Sequence, residues 1–114
     1  MFSLTKEAID YLRENIKVKN EKPVIIIYQI SKQACAGSYS DYFLELNFKE
    51  EKIDPSSYEK YGEVDDGYGI IVPIYIEKRI LSDFPEKAEI LIDIQITKKF
   101  HEEYVSLILK EQKR

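Results

Sequence analysis

The sequence predicts a mainly β domain with flanking helices, of the α+β class. Three observations carry this. Val24-Ile25-Ile26-Ile27-Tyr28-Gln29-Ile30 is β-branched and apolar on both faces, as a strand covered on both sides requires. Residues 42–48 and 89–97 alternate between apolar and polar, the period of half-buried strands. Asp65-Asp66-Gly67 sits between two further strand candidates, and Asp-Gly accepts the positive φ angles of a tight turn. The 114 residues form one domain, 1–114, long enough to bury a core without disulfides.

The elements follow in order. Thr5 has the features of a helix N-cap, with Glu7 at the positive end of the dipole and Leu4 and Ile9 at staple spacing. Ala8, Ile9, Leu12 and Ile16 share one face, so a helix is expected over 6–17, packed on a sheet. Pro23 stops it, and the central strand follows. Residues 31–41 form a loop. In the strand 42–48, Tyr42, Leu44, Leu46 and Phe48 face one side and Phe43, Glu45 and Asn47 the other. Asp54-Pro55-Ser56-Ser57 reads as a turn and 58–64 as a short strand. The strand 70–76 contains Pro73, which cannot donate to a ladder, so an edge position or a bulge is expected there. A short helix over 77–84 ends at Pro85. The strand 89–97 turns Ile90, Ile92, Ile94 and Ile96 inward. Phe100, Tyr104, Leu107 and Ile108 form a stripe at helical spacing, so the tail 98–113 is expected to be a docked helix.

Charge and composition narrow the function. With 44% hydrophobic and 33% charged residues the chain is not of the disordered type. A net charge of −4 and no basic stripe argue against nucleic acid and against an anionic membrane surface as partners. No stretch nears the ~20 apolar residues of a membrane span, and the start lacks the pattern of a signal peptide. The single cysteine cannot form an internal disulfide, which fits a cytoplasmic, reducing location.

That cysteine is the leading candidate for chemistry. Cys35 stands in Gln33-Ala34-Cys35-Ala36-Gly37-Ser38, after the central strand. A thiolate is a metal ligand and a nucleophile. Lys32 is near enough to favour the ionised form, and Gly37 lets the backbone admit another group. A small buried hydrophobe is the alternative for Cys35. His101 is the only histidine and is expected to be a solvated helix residue. Asp65 and Asp66 are better explained by the turn than as a catalytic pair. The nine tyrosines are read as strand formers with wet hydroxyls rather than as a binding surface. No catalytic triad, phosphate loop or spaced-cysteine zinc motif is present, so no enzyme is expected.

Three stretches together resemble the HesB-like, A-type iron–sulfur carrier (IscA-like) family. Leu4-Thr5-Lys6-Glu7-Ala8 with Leu12 is similar to its first helix. Cys35-Ala36-Gly37-Ser38-Tyr39, then Tyr42, Leu44, Leu46 and Phe48, is similar to its first cysteine loop and next strand. Asp66-Gly67 with Ile70, Val72, Ile76 and Leu81 is similar to its central hairpin and following short helix. The resemblance spans about residues 4–97. It implies a mixed β-sheet sandwich with an N-terminal helix, here with an added C-terminal helix. It also implies that Cys35 is a metal and cofactor ligand.

The chain departs from the family in two ways. The stretch between Gly37 and Leu44 is longer by a few residues. The family's Cys-Gly-Cys tail is replaced by Lys98-Lys99-Phe100-His101-Glu102-Glu103-Tyr104, which has no cysteine. Iron–sulfur clusters typically take four thiolates, so iron or a cluster would need ligands from a second chain of a homodimer, a small thiol or an iron–sulfur assembly protein. The expected function is that of a divergent HesB-like accessory in iron–sulfur cluster assembly or metal handling. Two alternatives stay open. One is a binding or structural module that has kept the fold and lost the metal. The other is a reactive thiol at Cys35.

Overall fold

The computed structural model describes residues 2–29, 42–65, 67, 69–85 and 87–111. Its elements are β1 (Phe2–Leu4), α1 (Lys6–Lys19), β2 (Val24–Tyr28), β3 (Phe43–Asn47), β4 (Tyr58–Asp65), β5 (Ile71–Glu77), β6 (Ile90–Lys99) and β7 (Glu102–Glu111). Two 3₁₀ segments, Glu50–Lys52 and Lys78–Asp83, join them. The architecture is mainly β, in two sheets ordered β1-β6-β7 and β3-β2-β5-β4. β1 runs parallel to β6 and β2 parallel to β5, while β2/β3, β4/β5 and β6/β7 are antiparallel.

Helix α1 starts where the cap residue predicts. The Thr5 hydroxyl accepts the Ala8 N–H at 3.1 Å, and Ala8 and Leu12 are buried. The helix runs two residues past the expected end. Asn20 then adopts the left-handed conformation (φ 53), and its N–H bonds the Ile16 carbonyl at 2.7 Å.

β2 is central, and Val24 to Ile27 are buried on both of its faces. Ile25, Ile27, Ile74, Ile76, Ile90, Ile92, Leu107 and Leu109 meet between the sheets in one core. Each such side chain contributes roughly 1.5–3 kcal/mol on burial. Phe84 joins its parts. Its ring lies 5.1 Å from Tyr42 and 6.1 Å from Phe2, which meets Tyr61 edge-on at 5.6 Å. Tyr61 reaches that cluster because β4 slips register between Lys60 and Gly62, and a bulge re-aims one side chain.

Two expectations are corrected. β5 lies inside its sheet, not at an edge, and its bulged partner is β4. Pro73 is tolerated because β2 pairs only with Ile74 to Ile76, so the segment around Pro73 has β4 alone beside it. The tail is not an added C-terminal helix. Residues 102–111 form β7, which pairs with the whole of β6. Leu107 and Leu109 face the core, while Phe100 is 92% and Tyr104 50% exposed. The helical stripe was a coincidence of spacing, and the long-range ladder to β6 decides the conformation.

Candidate functional site

The connection between β2 and β3 leaves the four-stranded sheet at one end. Tyr28 and Phe43 are directly paired there, their rings stacked at 5.9 Å and 26°. Residues 30–41 lie outside the described residues, so the expected loop and Cys35 with it are not described. The two roots of the connection are described, and both are held by the segment that follows β5.

On the β2 side, the Glu77 carboxylate accepts the Gln29 N–H at 3.2 Å and pairs with Arg79 Nε at 2.8 Å. The Arg79 guanidinium donates in turn to the Gln29 carbonyl. Both backbone groups of Gln29 are thereby satisfied by side chains rather than by a neighbouring strand. On the β3 side, the Tyr42 hydroxyl donates to Asp83 Oδ2 at 2.5 Å, and the Tyr42 ring packs on Phe84. The Lys78–Asp83 segment thus fixes both ends of the cysteine-bearing connection.

Register explains why these groups meet. Tyr28 pairs with Phe43, Ile27 with Ile76 and Tyr58 with Glu77. Phe43, Tyr28, Glu77 and Tyr58 therefore form one row across all four strands, on the face turned away from the core. Burial raises the Tyr58 phenol above its ordinary value, and the negative charges of Glu77 and Glu45 and the Tyr28 phenol add to it. Tyr58 stays a neutral hydrogen-bonding group at neutral pH. Lower on the same face, the Tyr75 hydroxyl donates to Glu50 at 2.7 Å, and that bond raises its pKa. Tyr28, Tyr58 and Tyr75 are thus strand residues on this outer face, and the Tyr75 hydroxyl is exposed.

A second feature lies where β3 and β7 approach without a ladder. Between them and α1 is an open cleft of about 670 Å³, lined by Tyr11, Asn15, Leu44, Leu46, Phe48 and Val105 among others. Sequence reasoning missed it because it depends on β7 being a strand.

The other candidates are placed as follows. Asp65 Oδ1 accepts the Gly67 N–H at 2.7 Å, which is turn chemistry; Gly67 has φ +83, and Asp66 lies outside the described residues. His101 is exposed, as expected, but in the two-residue β6–β7 turn, with φ 66. Among the described residues no group of three or more His, Cys, Asp or Glu could hold a metal ion. Glu77 is a poor ligand because Arg79 already neutralises it. No described helix is long and apolar enough to cross a membrane. No family model matches the chain, and neither a curated protein nor a solved structure does.

Proposed function

We propose that the chain is a divergent HesB-like accessory of iron–sulfur cluster assembly or metal handling, with Cys35 as its working thiolate. The observation behind this is the anchoring of Gln29 and Tyr42, the two described residues that flank the connection. Glu77 and Arg79 grip one root and Asp83 the other, so a connection carrying the only cysteine springs from a rigid base. Reactive groups on loops gain precision from such a base. The mainly β, two-sheet architecture is compatible with the mixed β sandwich that the resemblance implies.

One chain brings one thiolate, against the four that clusters typically take. Its donor set does not close a cluster alone. Iron or cluster cargo would be shared with a second chain, a small thiol or an assembly protein. We assign no catalytic residue and no enzymatic activity, and we take the reducing cytoplasm as the working compartment.

Anaerobic reconstitution with iron and sulfide tests this. The expected product is coloured and contains iron, and Cys35→Ser loses both colour and iron. A colourless, iron-free product that Cys35→Ser does not alter would overturn it.

The β3/β7 cleft favours a second reading, a binding module that has lost metal. Its walls mix Tyr11, Phe48 and leucines with Asn15 and Asn47, the mixture small-ligand sites use. Leu46→Lys would abolish such binding and leave iron loading by Cys35 untouched.

A further inference from the structure

Two strand edges face each other across the β3/β7 cleft, and neither has a strand beside it. Among the described residues β3 pairs with β2 alone and β7 with β6 alone. Alternate residues of a strand aim their backbone groups to the same side, so the free groups can be named. Both backbone groups of Gln29 are held from the β5 side, by Glu77 and Arg79. Ile25 and Ile27 therefore aim theirs at β5, and Val24, Ile26 and Tyr28 aim theirs at β3. Asn47, Glu45 and Phe43 answer these, which leaves the N–H and C=O of Leu44 and Leu46 turned away from β2. On β6, the Ile92 carbonyl accepts the Thr5 N–H at 3.0 Å, and Asp93 Oδ1 accepts the Ile94 N–H at 2.8 Å. The even-numbered residues of β6 thus face away from β7, and the pairs Asp93–Ile108, Gln95–Ser106 and Thr97–Tyr104 carry the ladder. Val105, Leu107 and Leu109 are left aiming outward, although Leu107 is only 6% exposed. Buried backbone groups of this kind require a partner.

The two edges match in direction and in face. Phe84 touches Phe2, which pairs with Ile90 at the start of β6, and Tyr42, which precedes β3. β6 and β3 therefore start at the same end, and β7 runs against both. The outward-aiming residues Leu44, Leu46, Leu107 and Leu109 are also the ones whose side chains pack in the core. An antiparallel ladder asks for this coincidence, since residues that exchange backbone bonds turn their side chains to one face. What separates the edges is distance. They approach to within 8 Å between Cα atoms without a ladder, whose bonded pairs stand about 5.5 Å apart. We propose that β3 and β7 close into an antiparallel ladder that joins the two sheets and seals the cleft, so that the cleft opens and shuts as this ladder breaks and forms. The phase of the edges permits Leu46 to stand opposite Leu107 or opposite Val105. Closure supplies the buried Leu107 amide with the partner it lacks. It is independent of Cys35 and of whatever the cleft binds.

Hydrogen exchange and cross-linking test it. In the unaltered chain the amides of Leu44, Leu46 and Leu107 should be protected. Val105→Pro should speed their exchange at least tenfold, because the ring replaces an N–H aimed at β3 and crowds the gap. The amides of Ser106 and Ile108 should not change, since proline at 105 removes no bond to β6. In a Cys35→Ser background, Ser106→Cys should form a disulfide within one chain on mild oxidation, with Asn47→Cys in one register or with Glu45→Cys in the other. These are the non-bonded pairs, whose side chains lie closest. Unprotected amides at Leu44 and Leu46 in the unaltered chain overturn the proposal. So does protection that survives Val105→Pro, or the failure of both cysteine pairs to cross-link.

Discussion

Thr5 and Asp93, 88 residues apart in the chain, are joined side chain to side chain. The Thr5 hydroxyl donates to Asp93 Oδ1 at 2.8 Å and accepts the Ala8 N–H at the start of α1. One hydroxyl therefore caps a helix and pins it to β6. Thr5→Ala should cost about 1–2 kcal/mol, a lost cap plus a half-satisfied carboxylate. The urea midpoint should fall, and Thr5→Ser should recover most of the loss.

Asp93 also gives a pH signature. The bond from Lys110 lowers its pKa most; burial opposes it, and the bonds from Thr5 and from the Ile94 N–H and the Lys110 charge lower it further, so the net shift is downward. Its folded value thus lies below the unfolded value of about 4. The stability it supplies is complete above that unfolded value and is lost as pH falls through the lowered folded one. Urea titrations of the unaltered chain and Asp93→Asn should differ at neutral pH and converge in acid. Parallel curves down to the lowest pH would refute the assignment.

The β6–β7 turn is built from unsuitable residues. Phe100 and His101 both have positive φ, 53° and 66°, the pattern of a type I′ turn that favours Asn-Gly. Phe100 is 92% exposed, so little packing is at stake. Phe100→Asn with His101→Gly should stabilise the domain by about 1 kcal/mol. Thermal unfolding would read this as a rise of a few degrees.

At the root of the cysteine connection, Glu77→Gln should weaken the contacts to Arg79 and the Gln29 N–H. Exchange of the Gln29 amide with deuterium should speed up by up to about tenfold, the worth of one such bond. Amides of β6 should not change.

Phe84 is 2% exposed and touches Phe2 and Tyr42. Phe84→Ala should cost about 3–5 kcal/mol. It should also free the Tyr42 root, which near-ultraviolet circular dichroism would register.

Much of this fold was legible because the signals were local. Thr5 announced its cap, Val24 to Ile27 their two-sided burial, and Asp65 and Gly67 their turn. The tail was not legible. No glycine or asparagine marks the turn at Phe100, and Phe100, Tyr104, Leu107 and Ile108 imitate a helix face. The alternation of Val105, Leu107 and Leu109 was the truer signal, and only pairing with β6 selects it. β1 escaped notice because three residues carry too little period. The grip of Glu77, Arg79 and Asp83 on residues 29 and 42 had no sequence signal, since it joins positions about 40 to 50 apart. Cys35 was singled out by its solitude, by its place after the central strand beside Gly37 and by the resemblance, and it lies outside the described residues.

The parallel pairing of Phe2–Leu4 with Ile90–Ile92 has a consequence for biogenesis. β1 is synthesised well before β6 and cannot form this ladder until β6 follows it. During translation the β2–β5 region can associate first, while β1 and the face of α1 that packs on β6 wait uncovered. Contacts this distant in sequence make folding slow, and the interval before β6 emerges is when the nascent chain most needs chaperones.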